Sequence, residues 1–284
     1  MKFKSLFFKS ILCVSLGLPV VLSFNASVNA ETESVKTVSP HQFDVIPEIF
    51  AYSYKEWSNK KPFMSLNGLM FALGGSYSYN FGKNFVKLSS RFAMGDAKYK
   101  SKSTGRNKND PSWYIDSQAV YGRHFDLSSN LTISPYLGLG YRFLENDGSN
   151  TKTTTGHYGY LRESQYLYIP IGSDLTIPIH SKLSFVVNAE YDLFLNGLQK
   201  SHTHSSNGIG GLIENKQSPG YGLRAAAGLR WTLEKMAIEA KPFFRYWSIA
   251  DSKKVHQTTR YIKATFSEPK NATKEVGLGI TFKF

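Results

Sequence analysis

Two histidines, two positions apart, are the residues of this sequence best spaced to bind a metal. They are His202 and His204, and His157 or His256 could join them from neighbouring loops. Histidines at i and i+2 of an extended segment point the same way, as shared ligands must. The sequence supplies no further ligand set. We therefore expect solvated histidines and predict neither a metal nor any other cofactor.

Basic side chains form the second group able to do chemistry. Lys and Arg number 34 against 21 Asp and Glu, which gives a formal net charge of +13. The candidate binding residues are Trp57, Lys98, Lys100, Lys102, Arg106, Lys108, Lys253, Lys254 and Arg260. Such a surface attracts anions, but charge alone does not distinguish a nucleic acid, an anionic membrane and an anionic glycan.

The N-terminus has the features of a secretory signal peptide. Three lysines precede an apolar run, roughly residues 11–24, and the sequence VNA at 28–30 fits a cleavage site. The run is shorter than the about 20 apolar residues that a spanning helix needs. We predict a signal peptide over 1–30 and a periplasmic segment over 31–43. Cys13, the one cysteine, lies in the predicted signal, so the mature chain is expected to lack disulfides and thiol nucleophiles.

Beyond this region, apolar residues recur at every second position. In residues 221–233 the odd positions are mostly apolar, whereas Arg224 and Arg230 lie on the other face. Residues 183–195 repeat the pattern with Glu190 on the polar face. A period of two predicts strands with one apolar and one polar face.

About ten strands follow from this pattern. Their predicted limits are 44–55, 66–81, 84–97, 112–126, 131–145, 160–177, 182–196, 220–233, 236–249 and 272–284. The apolar face of strand 160–177 is ambiguous. Tight turns alternate with long polar loops at 56–65, 98–111, 146–159, 197–219 and 250–271. Short turns on one rim and long loops on the other are typical of bacterial outer-membrane barrels, in which the turns are periplasmic and the loops extracellular.

The last strand carries the most specific pattern. One face holds Val276, Leu278, Ile280, Phe282 and Phe284. This resembles the C-terminal signature by which the barrel assembly machinery recognises bacterial outer-membrane β-barrel proteins. The resemblance implies an all-β, closed, antiparallel transmembrane barrel over 44–284, located in the outer membrane. The strand number resembles that of omptin proteases and Opc-type adhesins, and the small size resembles opacity and OmpA-like proteins. A secreted β-sandwich is the alternative, which long strands with many outward aromatic residues fit less well.

Phasing the strands by their apolar faces predicts a polar lumen. The inward residues are Glu48, Lys87, Arg91, Asp116, Arg142, Glu190, Asp192, Arg224, Arg230, Glu239, Lys241, Arg245 and Glu275. In a barrel of about ten strands, we expect these side chains to fill the interior with ion pairs. A narrow channel, with a preference for anions given by its arginines, is the alternative.

Enzymes on such barrels need recognisable groups. An omptin-like site requires acidic pairs and an Asp–His pair near the extracellular rim to activate a water. Loop 98–111 offers Asp110, with Asp96 at its edge, and His202 has no neighbouring Asp. A lipid-modifying hydrolase needs a Ser–His pair on the wall, which spacing does not predict. An enzyme of unrecognised type therefore ranks behind a non-enzymatic protein.

We expect a monomeric surface protein that is structural or adhesin-like. Its basic loops would meet lipopolysaccharide phosphates or, in the sharper interpretation, anionic host glycans or acidic proteins. Trp57, Tyr99 and Tyr261 lie near those charges and could stack on a sugar. Outer-membrane lipid and the assembly machinery are further expected partners, and a nucleic acid is not expected at this location.

Overall fold

The computed structural model describes residues 40–128, 130–204, 209–258 and 260–284. The predicted signal peptide lies outside these residues. The strands are β1 (His41–Ser58), β2 (Lys61–Phe81), β3 (Asn84–Ser101), β4 (Gly105–Arg123), β5 (Phe125–Ser128), β6 (Leu131–Asp147), β7 (Leu161–His180), β8 (Leu183–Thr203), β9 (Gly211–Gln217), β10 (Gly220–Thr232), β11 (Ala237–Ile249), β12 (Val255–Thr258), β13 (Lys263–Phe266) and β14 (Lys270–Lys283). Within the described ranges, no helix has the length and hydropathy to cross a membrane.

The main sheet closes on itself. β1 pairs with β2 on one side and with β14 on the other, and β10 pairs with both β8 and β11. β4 and β5 share one place in the wall, as do β9 and β10, so the wall has ten antiparallel positions. Each position is paired on both sides, as a barrel surrounded by lipid requires. The predicted closed barrel of ten strands is confirmed.

Side chains alternate between lumen and exterior along every wall strand, and the exterior is apolar over a continuous belt. Leu73 on β2, Leu88 on β3 and Leu137 on β6 are each 58–60 % exposed. Apolar patches of this extent are rare on soluble proteins, because water would drive them to associate. A surrounding bilayer removes that cost, so the belt is the lipid-facing surface.

At one rim the wall strands continue above the belt. Three segments predicted to be loops, 56–65, 98–111 and 197–219, are mostly strand, so those predictions were wrong. The rim with tight turns at 82–83 and 181–182 is periplasmic by the rule for such barrels, which makes the other rim extracellular. There, β1 and β2 join through Asn59 and Lys60, both at positive φ (50° and 63°), as in a two-residue hairpin turn.

Strands likewise replace most of the other two loops. β3 and β4 meet across residues 102–104, and β8 and β9 occupy most of 197–219. Above the belt both faces of a strand are polar, so the apolar period that marks a strand disappears from the sequence. Residues 148–160 and 250–269 remain connections, the second of which contains the hairpin of β12 and β13.

Candidate functional site

Ion pairs cross the lumen in one layer. This charged layer consists of Glu48, Arg91, Asp116, Arg142, Glu190, Asp192, Arg224, Arg245 and Glu275. Arg142 is 1 % exposed, and its guanidinium lies 3.0 Å from Glu275 Oε1 and 3.3 Å from Asp116 Oδ2. Arg91 connects Glu275 Oε2, at 3.2 Å, to Glu48 Oε2, at 2.5 Å.

Two further arginines, Arg224 and Arg245, extend these ion pairs across the barrel. Arg224 Nε lies 2.8 Å from Asp192 Oδ2, and its Nη2 lies 3.1 Å from Asp116 Oδ2. Arg245 Nη2 lies 2.8 Å from Glu48 Oε1. Four arginines thus face five carboxylates, so the layer carries no excess positive charge that would favour anions.

Tyr114 joins the layer from β4. Its hydroxyl donates to Glu275 Oε2 at 2.8 Å, and the Arg142 guanidinium lies 3.9 Å from the centre of its ring. The hydroxyl also accepts from Arg91. A buried ring in cation–π contact with one guanidinium and hydrogen-bonded to another holds both arginines in one geometry.

Tyr168 performs the same role on the other side. Its hydroxyl donates to Asp116 Oδ1 at 2.5 Å and accepts from Arg224 Nη2 at 2.8 Å. The ring lies on the backbone of Gly140, where an added Cβ would sit 2.2 Å from the ring. Only glycine leaves this space. The ambiguity in strand 160–177 is resolved: Tyr168 points inward and Leu167 outward.

Aromatic and aliphatic side chains fill the lumen on the extracellular side of the charged layer. On ascending strands they begin two positions beyond the layer: Phe50 follows Glu48, and Trp247 follows Arg245. Two buried clusters contain them: Phe50, Tyr52, Tyr54, Met64, Leu66, Met70, Ala93, Ala97, Tyr114, Leu144 and Phe243 in one, and Tyr166, Tyr168, Phe194, Trp247 and Ile249 in the other. Tyr114 and Tyr168 reach into the charged layer, and Phe243 lies on its periplasmic side, two positions before Arg245. Close packing of this kind leaves little room for a water column.

A second, smaller group of charges lies towards the periplasm. Glu239 accepts from Arg230 Nε at 2.7 Å and from Lys241, and Lys283 Nζ lies 3.0 Å from Asp44 Oδ2. A cavity of about 210 Å³ borders the charged layer on this side, with Lys87 in its lining.

The thirteen residues that the sequence placed in the lumen all point inward. Nine form the charged layer, three belong to the periplasmic group, and Lys87 lines the cavity. Sequence reasoning missed the two tyrosines and a cluster at the extracellular mouth that includes Glu56. Extending the alternation of β1 from Glu48 by steps of two would have reached Glu56.

The mouth cluster consists of Glu56, Arg162, Ser252 and Glu268, and it connects residues 250–269 to the wall. Arg162 lies 2.7 Å from Glu268 Oε1 and contacts Glu56, while the Glu268 N–H donates to Ser252 Oγ at 2.7 Å. Burial raises the pKa of Glu268 to about 7, the negative charge of Glu56 adds to this, and Arg162 opposes it. Because this folded-state pKa exceeds the ordinary 4.5, the stability that the protonated carboxyl contributes is complete below about pH 4.5 and is lost as pH rises through 7.

The basic candidates form two groups on opposite sides of the barrel. The β3–β4 group is Lys98, Lys100, Lys102, Arg106 and Lys108. The last-connection group is Lys253, Lys254 and Arg260. The Arg260 N–H donates to the Gly210 carbonyl at 2.9 Å, which places this connection beside β9. β9 and β3 are five wall positions apart in either direction around the barrel, so Arg260 lies on the opposite side of the wall from β3.

The paired histidines engage other side chains. His202 Nε2 lies 3.0 Å from Glu163 Oε1, and the His204 ring stacks on Tyr158 with centroids 4.4 Å apart. Among the described residues, no three His, Cys, Asp or Glu side chains are arranged to hold a metal ion.

The acids that a water-activating site would need lie on different faces of the wall. Asp96 is exposed on the outer face of β3, whereas Asp110 is buried in the lumen above the belt. Burial raises the pKa of Asp110 to about 6. The two carboxyl groups therefore do not form an acidic pair.

The residues of the C-terminal pattern lie on the outer face of β14. Val276, Leu278 and Phe284 are 45–57 % exposed, and Ile280 and Phe282 share their side. The backbone of Phe284 exchanges two hydrogen bonds with Phe43, at 3.1 and 2.8 Å. Pairing between β1 and the last strand thus continues to the final residue of the sequence.

No protein-family model matches the chain, and no curated protein matches it. Among solved structures, the outer membrane protease OmpT from Escherichia coli aligns with a TM-score of 0.60 at 8 % identity, covering 88 % of this chain and 100 % of that one. The toluene transporter TodX from Pseudomonas putida aligns at 0.36 and 9 % identity, covering 87 % and 90 %. Neisserial surface protein A aligns at 0.30 and 12 % identity, covering 85 % and 97 %. At these identities the likeness concerns the fold alone. The likeness to OmpT, together with the closed wall and its apolar belt, identifies the chain as a ten-stranded β-barrel of the bacterial outer membrane.

Proposed function

We propose that this protein is a non-conducting, non-enzymatic surface protein that binds an anionic glycan with its extracellular basic residues. The observation that carries the proposal is the contrast between lumen and rim. The lumen is closed by balanced ion pairs and packed aromatic rings, whereas unbalanced positive charge projects above the membrane.

The charged layer argues against a channel. Its arginines each contact carboxylates within 2.5–3.3 Å, and several of these side chains are less than 5 % exposed. An ion crossing this layer would have to separate buried pairs, which costs several kcal/mol for each partner removed. The cavity near Lys87 ends at this layer.

The rim favours a polymeric anion. The β3–β4 group and the last-connection group lie on opposite sides of the mouth, so a small anion would meet one group at a time. A linear polyanion could contact both, and joint contact raises affinity without any new type of interaction. Arg260 lies 5.5 Å from the centre of the Tyr261 ring, which offers a flat surface for a sugar beside a cation.

Heparin, as a probe polyanion, tests the binding half of the proposal. Measured by titration calorimetry on the purified barrel, the Lys102→Ser/Arg106→Ser and Lys253→Ser/Lys254→Ser variants should each bind about fivefold more weakly, from roughly 0.5 kcal/mol for each exposed cation. The four-residue combination should lose more than either pair. A periplasmic control, Lys182→Ser/Lys235→Ser, removes equal charge from the other rim and should bind normally. Unchanged affinity in the combined variant, or affinity insensitive to salt, would refute this half.

Planar-bilayer recording tests the closed lumen separately. We expect no steady conductance from the wild-type barrel. A steady current that changes on Arg224→Gln substitution would overturn the closed-lumen argument while leaving the glycan result intact.

A further inference from the structure

The outer wall just above the lipid belt is basic on one side. On β14, β1, β2 and β3 the outward side chains above the belt include Lys274, Lys55, Lys98 and Lys100, with Asp96 as the outward acid on these four strands. These positions are distinct from the tips of the connections, because they lie on wall strands close to the apolar outward residues. Lys274 is the outward neighbour of Val276, and one outward position, Asp96, separates Lys98 from Met94.

Strand register arranges these lysines in rows. One row runs Lys274, Ser53, Asn67, Lys98, since Ser53 pairs with both Lys274 and Asn67, and Asn67 pairs with Lys98. Ser53 Oγ donates to Asn67 Oδ1 at 2.7 Å, which fixes the polar centre of the row. In the next row, Lys55 pairs with Ser65.

Ser65 in turn pairs with Lys100, which completes the second row. The two lysines at the ends of the first row are three strand spacings apart, about 14 Å. A single phosphate cannot contact both of them. A ligand with two phosphates at that separation can.

A cleft adjoins the rows at the β14 side. It has a volume of about 670 Å³ and is lined by Trp57, Lys60, Tyr246, Asp251 and Lys270, among others. The one carboxylate among these five accepts the Lys270 backbone N–H at 2.7 Å, so it holds the connection in place. Trp and Tyr with an apolar body and a polar edge are enriched at the level of lipid headgroups.

The opposite side of the wall is different at the same distance from its belt. Outward positions on β6, β7 and β9 carry four acids, Glu145, Asp147, Glu163 and Glu214, against one base, Lys216. Lys200 on β8 is paired there with Glu214 at 3.3 Å. The positive charge is therefore concentrated on one side of the wall. A requirement for solubility alone would distribute it evenly around the rim.

We propose that this basic wall, formed by Lys55, Lys98, Lys100 and Lys274 with the Trp57 cleft beside it, docks a bisphosphorylated glycolipid of the outer leaflet, the lipopolysaccharide type. The phosphates bind the lysine rows, and the acyl chains lie along the apolar positions below, such as Leu69. Lysines suit this task, because their stems cover apolar surface while the ammonium reaches the headgroups.

The test compares bisphosphorylated lipid A, its monophosphorylated form and inorganic phosphate, each bound to the detergent-solubilised barrel and followed by native mass spectrometry. Lys55→Ser/Lys98→Ser/Lys274→Ser should bind bisphosphorylated lipid A about 100-fold more weakly, since each cation near a lipid surface contributes about 1 kcal/mol. The Lys→Arg version of the same triple variant should retain binding. Lys102→Ser/Arg106→Ser/Lys253→Ser removes equal charge from the tips and should also retain it.

Three results would overturn the proposal. They are an unchanged affinity in the Ser triple variant, equal wild-type affinity for the two lipid forms, and displacement of the lipid by millimolar inorganic phosphate. Heat-modifiable migration on a gel verifies that each variant is folded. The heparin experiment is independent, because its tip variants leave the lysine rows intact, so failure of one proposal is distinguishable from failure of the other.

Discussion

Replacing Arg142 by methionine should destabilise the barrel by about 3 kcal/mol. The change removes one positive charge from two carboxylates that are almost fully buried, Glu275 at 3.0 Å and Asp116 at 3.3 Å. Breaking a buried pair by removing one partner costs about 3–5 kcal/mol. The lower end applies here, because Arg91 and Arg224 still contact those two carboxylates. The methionine keeps most of the side-chain volume beside the Tyr114 ring.

The measurement is urea unfolding of the barrel from phosphatidylcholine vesicles, followed by tryptophan fluorescence. A loss of 3 kcal/mol corresponds to about a 100-fold change in the unfolding equilibrium. Lys200→Met is the matched control, since its pair with Glu214 is solvent-exposed and such pairs contribute about 0–1 kcal/mol. If Arg142→Met cost no more than this control, the ion pairs would not stabilise the lumen and the argument for a closed layer would fail.

Two further predictions concern the mouth and the glycine beneath Tyr168. The Ser252 amide donates to the Glu268 carbonyl, so its hydrogen exchange reports on this connection. After correction for the intrinsic exchange rate, the free energy of protection should decrease between pH 5 and 8. The raised pKa of Glu268 limits this decrease to at most about 3 kcal/mol. Glu268→Gln should abolish this pH dependence, and a wild-type amide with constant protection would contradict it. Gly140→Ala should cost about 1–3 kcal/mol in the urea assay, because its Cβ overlaps Tyr168. Gly75→Ala, whose Cβ meets nothing nearer than 3.5 Å, should be nearly neutral, and equal losses in both variants would exclude the overlap as the cause.

The sequence was sufficient to predict the strands of the barrel within the membrane, but not their continuation above it. Inside the belt, lipid requires apolar outward residues, so the inward direction of residues such as Arg91 and Glu275 can be deduced from their neighbours. Above the belt, Lys98 and Lys100 alternate with Tyr99 and Ser101, and neither face is apolar. The strand is then held by backbone pairing that leaves no period in the sequence.

The candidate site shows the same limit. Register between distant strands decides which charges meet, and it is not encoded in any single segment. Tyr168 and Gly140 face each other only because β6 pairs with β7 in one register. The separation of the basic residues into two opposite groups likewise depends on the order of strands around the wall.

The position of Glu275 has a consequence for how the barrel assembles. It lies on the last wall strand, yet its partners Arg142 and Arg91 are 133 and 184 residues earlier in the chain. Until β14 inserts between β11 and β1, those guanidinium groups lack this shared counter-charge. Closing the seam and neutralising the interior are therefore one event, and a barrel that began to open between β1 and β14 would have to expose its arginines to do so. The ion pairs of Glu275 inside the lumen therefore stabilise the seam together with its backbone hydrogen bonds.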